Sequence, residues 1–118
     1  MRGLYDARMV RIGSIVLNVN DWRRAAKFWS AALDYTPHPE ATDILMPRDG
    51  NGPQLSLYQR DRTHLDLYTA NAAEQQAEVD RLISLGAQRV PEWKYPDGGD
   101  FVVLRDPEGN LFCVVDHG

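Results

Sequence analysis

Cysteine occurs once, at Cys113, so no disulfide can close within these 118 residues. Burial and hydrogen bonding must hold the fold, and a lone thiol accords with a reducing compartment. No apolar run approaches the roughly 18 residues that a membrane helix needs. The opening MRGLYDARMV, broken by Arg2, Asp6 and Arg8, lacks the apolar core of a secretory signal. The expectation is a cytoplasmic protein with no membrane partner. Lys and Arg form no cluster and the net charge is −4, which argues against a nucleic-acid partner because phosphate recognition leans on a basic surface. Heptads, low-complexity tracts and flexible linkers are also missing, so residues 1–118 are expected to form a single domain.

What the chain does have is a strong closing hairpin. Phe101–Leu104 and Leu111–Val115 are apolar and rich in β-branched residues, and they flank Asp106-Pro107-Glu108-Gly109-Asn110. Pro presets φ there, and Gly or Asn can take positive φ. A fainter copy stands earlier: Asp49-Gly50-Asn51-Gly52-Pro53 leads into Gln54–Gln59 as Asp106–Asn110 leads into Leu111–Asp116.

The duplication extends upstream. Ile12–Val19 precedes a helix over Asp21–Leu33, and His64–Thr69 precedes a helix over Asn71–Leu85. Laying Ser14 on His64 puts Leu17 on Leu67 and Asp21 on Asn71, so each strand ends at the same distance before a residue able to cap a helix. The chain parses as strand, helix and about three strands, twice: module one over residues 8–60 and module two over residues 61–118.

Trp22, Ala25, Ala26, Trp29, Ala32 and Leu33 recur at helical spacing opposite Arg23, Arg24 and Lys27. The two tryptophans either seal this helix to a sheet or meet a ligand. His38, between two prolines, reads as a solvated residue of a loop or edge segment, followed by a short strand over Thr42–Met46. In the second half Val79, Leu82, Ile83 and Leu85 form the expected buried stripe, Gly86 the left-handed stop, and Gln88–Trp93 a further extended stretch. Tyr95–Asp100, with Gly98-Gly99, is a lid or a plain exposed turn.

LNVNDWRRAAKFWSAALDY, HLDLYTAN, LISLGAQRV and LRDPEGNLFCVVD, in that order, resemble the vicinal oxygen chelate superfamily, the glyoxalase, bleomycin-resistance and extradiol dioxygenase group, and within it the small two-module glyoxalase-like domains. The resemblance implies an α+β fold: two βαβββ modules forming an open curved mixed β-barrel, helices outside and a small-molecule cavity within. It also implies a homodimer. Catalytic relatives hold a divalent metal by one residue from the first and one from the last strand of each module, and the metal stabilises an enolate or alkoxide.

Carried onto this sequence, those four positions are Ser14, Ser56, His64 and Cys113. Metal-dependent members usually have His at the position of Ser14 and Glu at that of Cys113, so of the usual set only His64 remains. A serine hydroxyl stays protonated and is a poor ligand. Cys113 and His64 could grip Zn²⁺ but would need a third protein ligand. Strand alternation aims Asp66 with His64 and leaves Asp116 opposite Cys113. The expectation is no cofactor and no metal.

Three readings of His64 stand side by side: a half-buried histidine hydrogen-bonded to backbone, a ligand-contacting or catalytic proton-transferring group, and a metal ligand. Cys113 reads as a buried hydrophobe or a nucleophile. Ser14 and Ser56 fit cavity lining, and Tyr58, Tyr68, Trp93, Tyr95 and Phe101 are either an aromatic wall for a ligand or ordinary packing. The first functional reading is a small-molecule-binding protein of the glyoxalase/bleomycin-resistance fold without the usual metal. The alternatives are a glyoxalase-type lyase or isomerase, or a dioxygenase-like enzyme, using His64 with an atypical metal set, and a protein-interaction module.

Overall fold

Two strand-to-helix junctions, each closed by a side-chain cap, set the architecture. The computed structural model describes residues 10–59 and 61–117. The N-terminal MRGLYDARM, including the expected start of module one at residue 8, lies outside the described residues, as do Arg60 and Gly118. The element order is β1 (Arg11–Asn18), α1 (Trp22–Leu33), β2 (Tyr35–His38), β3 (Ala41–Pro47) and β4 (Gln54–Tyr58), then β5 (His64–Thr69), α2 (Ala72–Ser84), β6 (Gln88–Arg89), β7 (Phe101–Arg105) and β8 (Leu111–Asp116). This is an α+β chain with the βαβββ unit written twice. Two compact units result, residues 12–65 and residues 66–117 with Val10 and Arg11, and the division falls inside the continuous strand β5. No helix among the described residues is long and apolar enough to cross a membrane.

In the first unit Asp21 caps α1, its carboxylate accepting the Arg24 N–H at 3.1 Å. The strands lie in the order β2-β3-β4-β1, with β1 and β4 parallel and the other pairs antiparallel. Tyr35–His38 is the outer strand, which suits a segment carrying Pro37. Leu45, Leu55 and Leu57 form the buried cluster, covered by Ile15, Leu17, Val19, Trp22, Ala25, Ala26, Trp29 and Tyr35. Both tryptophans therefore seal the helix to the sheet. Ala32 and Leu33 depart from expectation, being exposed. The helix stops at Asp34 in the left-handed region, φ 56°, and Tyr35 rather than the last helical turn continues the packed face.

In the second unit Asn71 caps α2 by accepting the Glu74 N–H at 2.8 Å. The strand order is β5-β8-β7-β6, and Val79, Ala87, Leu104 and Val114 are buried together under Val10, Leu82, Ile83, Val102 and Phe112. β7 and β8 pair in the register Phe101↔Val115 through Arg105↔Leu111. The Asp106 carboxylate accepts N–H groups of Glu108 and Asn110 and the Asn110 side-chain amide at 2.8–2.9 Å. The bond from the Asn110 side chain, followed by those from backbone, holds the Asp106 carboxyl below its ordinary range. Asp49 does the same work in the first hairpin, accepting the Asn51 N–H at 2.9 Å.

The end of α2 obeys a specific rule. The Gly86 N–H donates to Ile83 and the Ala87 N–H to Leu82, both at 3.0 Å, and Gly86 has φ +118°. That pair of bonds is a Schellman stop, whose accompanying apolar contact is Leu82 against buried Ala87. Leu85 sits at the cap itself, off the buried stripe, and is exposed. β6 is shorter than the expected Gln88–Trp93, because Pro91 cannot donate to a ladder and the Trp93 N–H turns back to Val90. A Cβ on Gly86 would stand 3.3 Å from the Pro107 ring as well as imposing the positive φ on a side chain that resists it. Gly86→Ala is expected to cost about 1–2 kcal/mol, measured as a shift of the urea midpoint at unchanged slope. An unshifted midpoint would show that this stop is not held as described.

Candidate functional site

Strand alternation sorts the chemistry of the second module. In β7 and β8 the residues packed under α2 are Val102, Leu104, Phe112 and Val114, so Phe101, Val103, Cys113 and Val115 face away from the helix. β8 is the hydrogen-bonded neighbour of β5. Along β5, His64, Asp66 and Tyr68 share one face and Leu65, Leu67 and Thr69 the other. The ligand atoms offered by His64, Asp66 and Cys113 all lie within 4.8 Å of one another, and each residue is half-buried. Asp116 falls on the opposite parity from Cys113, as alternation requires, and its N–H donates to the Asp100 carbonyl at 2.8 Å.

His64 is oriented by its own approach loop. Its Nδ1 stands 2.6 Å from the Arg62 carbonyl oxygen and 3.9 Å from a carboxylate oxygen of Asp61. A carbonyl can only accept, so Nδ1 carries a hydrogen and donates it to Arg62. The hydrogen bond to backbone expected of a structural histidine is present.

Aromatic rings extend the same side of the sheet. Tyr68 stacks on His117 with ring centroids 4.0 Å apart and planes 9° from parallel, and the Arg11 guanidinium lies 5.8 Å from the Tyr68 centroid. Sequence reasoning missed His117, although it stands four residues beyond Cys113 and so shares its parity. Tyr95 ties the 91–100 segment to β7: its hydroxyl accepts the Val103 N–H at 2.8 Å and its ring tilts against Phe101 at 5.4 Å. Trp93 lies in that segment, 39% exposed.

Ser14 and Ser56 meet in the first module. Their hydroxyl oxygens are 2.7 Å apart, both residues are buried, and Tyr58 lies two residues along β4 from Ser56, half-buried. Each serine is satisfied by the other, and among the described residues no buried side-chain nitrogen or oxygen lacks a hydrogen-bond partner. A protonated hydroxyl pair closed on itself is a poor seat for a divalent ion. The ion that catalytic relatives hold at the positions of Ser14, Ser56, His64 and Cys113 does not fit the residues in two of them.

Residues 14–115 match the family model described as a glyoxalase-like domain. No curated protein matches the chain. Among solved structures, one described as an NAD-dependent benzaldehyde dehydrogenase from Legionella pneumophila aligns with TM-score 0.57 at 16% identity, covering 86% of this chain and 96% of that one. A glyoxalase-related enzyme from Fulvimarina pelagi aligns with TM-score 0.41 at 18% identity, covering 89% and 86%. Lactoylglutathione lyase from Agrobacterium tumefaciens aligns with TM-score 0.38 at 20% identity, covering 88% and 91%. At such identities a likeness concerns the fold alone and carries no activity across. With the family model covering nearly the whole βαβββ pair, the chain belongs to the glyoxalase-like domain family of the vicinal oxygen chelate superfamily.

Proposed function

We propose that this protein binds a small organic molecule on the helix-free face of its second module, without the four-position ion of its catalytic relatives. The observation that carries the reading is the contrast between the two faces of one sheet. On β7 and β8 the side under α2 is aliphatic apart from Phe112, whereas the other side of the sheet carries His64, Asp66, Tyr68 and Cys113 at intermediate burial. A few convergent polar groups on an apolar, aromatic surface is how small-molecule sites are built. Tyr68 and Phe101 supply flat rings, and His64 and Asp66 supply hydrogen bonds to a polar edge.

A thermal-shift and calorimetric screen with planar aromatic acids and carbonyl compounds tests this. At least one compound is expected to raise the melting temperature, with Tyr68→Ala and Phe101→Ala each weakening it about tenfold, the scale of one lost aromatic contact. No shift for the wild type, or shifts unchanged in both variants, would overturn the reading.

The orientation of His64 favours a second reading, an isomerase or lyase in which Nε2 moves a proton on a bound carbonyl compound. His64→Asn would then abolish turnover while leaving binding nearly unchanged.

A further inference from the structure

We propose that residues 94–99 are a strap, latched to the open edge of β7 by Tyr95, whose release uncovers the Phe101 ring on the helix-free face of the second module. The latch is built from contacts within that module and stands apart from the ligand-binding reading; only what reaches Phe101 after release rests on it. β6 pairs with β7 at Leu104 and Arg105 and goes no further, so among the described residues the outer edge of β7 at Val103 has no neighbouring strand. An edge amide there must find another acceptor or stay open to water. The Tyr95 hydroxyl is that acceptor, 2.8 Å from the Val103 nitrogen.

Both ends of the strap are fixed. Before it, the Trp93 N–H donates to the Val90 carbonyl at 3.0 Å and the Glu92 carboxylate accepts the Arg105 guanidinium at 2.7 Å. After it, the Asp100 carbonyl accepts the Gln75 side-chain amide at 2.9 Å and the Asp116 N–H at 2.8 Å. Between those anchors, among the described residues, the bond from Val103 to Tyr95 is the one hydrogen bond that ties the strap to the rest of the chain. The Gly99 N–H is spent within the strap, on the Pro96 carbonyl at 3.1 Å. Every residue from 94 to 99 is exposed. A segment with anchored ends, little burial and a single tie opens locally, well before the sheet beneath it unfolds.

The same residue also covers. The Tyr95 ring tilts against Phe101 with centroids 5.4 Å apart, and the strap returns close by the same ring: a Cβ on Gly99 would stand 3.4 Å from Phe101 Cε1 and 3.2 Å from the Pro96 carbonyl oxygen. Phe101 alternates with Val102 and Leu104, which pack under α2, so its ring is reached from the helix-free face. Breaking the bond to Val103 frees the Tyr95 ring to leave Phe101, which couples the strand edge to the exposure of the aromatic surface. Tyr95–Asp100 is thus a closure with its own catch rather than a plain exposed turn.

Amide hydrogen exchange and lysine-specific proteolysis of the full chain, with no organic compound added, test the latch. Val103 points its N–H outward, so the amides of Val102 and Leu104 face β8 and report the ladder while Val103 reports the latch. Tyr95→Phe keeps the ring and removes the acceptor; exchange at Val103 is expected to quicken about tenfold, the worth of one hydrogen bond, with Val102 and Leu104 unchanged. Tyr95→Ala also removes the ring contact and should bring the change to roughly a hundredfold. The chain has two lysines, Lys27 in α1 and Lys94 in the strap. A lysine-specific protease under native conditions should therefore cut after Lys94 faster in both variants, in proportion to the open population, while cleavage after Lys27 keeps its wild-type rate. Unchanged exchange at Val103 in Tyr95→Phe, unchanged cleavage after Lys94, or equal quickening at Leu104 and Lys27 would overturn the latch. Because no ligand enters this experiment, its failure leaves the aromatic-acid screen independent, and failure of that screen leaves the latch standing.

Discussion

Leu104→Ala is expected to remove about 3–4 kcal/mol of stability, the range for truncating a leucine in a packed core. Leu104 is 0% exposed and belongs with Val79, Ala87 and Val114 to the buried cluster under α2. Its cross-strand partner is Phe112, and its backbone pairs on the other side with Arg89. Both sheet neighbours are thus fixed by hydrogen-bonded ladders, so the backbone cannot sink into the space a lost isobutyl group leaves. The other buried side chains of the cluster are β-branched valines and a short alanine, with few rotamers available to fill it. Transfer and cavity terms therefore add rather than offset. Urea denaturation should show a lower midpoint at an unchanged slope. A loss below about 1 kcal/mol, outside the span of such substitutions, would mean that the strand relaxes and that the cluster is not held as the structure describes.

The same physical rules decide how far the fold and the candidate site could be read from residues alone. The doubled βαβββ order was legible because its markers are local. Asp21 and Asn71 both cap, Asp49 and Asp106 both gather the amides of their turns, and Gly86 stops α2 at positive φ. Alternation was enough to put Asp66 with His64 and Asp116 on the other face. Features set by distant partners stayed hidden. Periodicity cannot tell that Tyr35 takes over from Ala32 and Leu33 in covering the first cluster, nor that the ladder of β6 ends where Pro91 withholds a donor. The mutual hydrogen bond of Ser14 and Ser56, 42 residues apart, has no sequence signature at all. His117 went unremarked because it lies beyond the last apolar run, where only continued strand parity would have placed it beside Tyr68.

Glu78 was hidden for the same reason, and it carries the second large expectation. A glutamate beside Val79 reads as the wet side of an amphipathic helix, yet Glu78 is 4% exposed. Its Oε1 accepts the Val10 N–H at 2.8 Å and the Arg81 Nη2 at 3.0 Å, while Oε2 accepts the Arg81 Nε at 2.9 Å. The hydrogen bonding that Arg81 donates to Glu78 is the main cause that raises the Arg81 pKa above its ordinary value. Glu78→Ala strips a backbone amide of its acceptor and a guanidinium of its partner. Arg81 is 36% exposed and can turn to water, so the loss falls short of the 3–5 kcal/mol for breaking a fully buried pair, and about 2 kcal/mol is expected. Glu78→Gln keeps a carbonyl oxygen for the Val10 N–H and should recover roughly half of that, the share of a neutral hydrogen bond. A double-mutant cycle with Arg81→Ala separates the two contributions. Coupling of about 1 kcal/mol is expected, and it should persist in high salt because the carboxylate end is shielded from counterions. Zero coupling, with Glu78→Ala and Glu78→Gln equally destabilised, would instead assign the whole effect to lost packing of the side-chain stem.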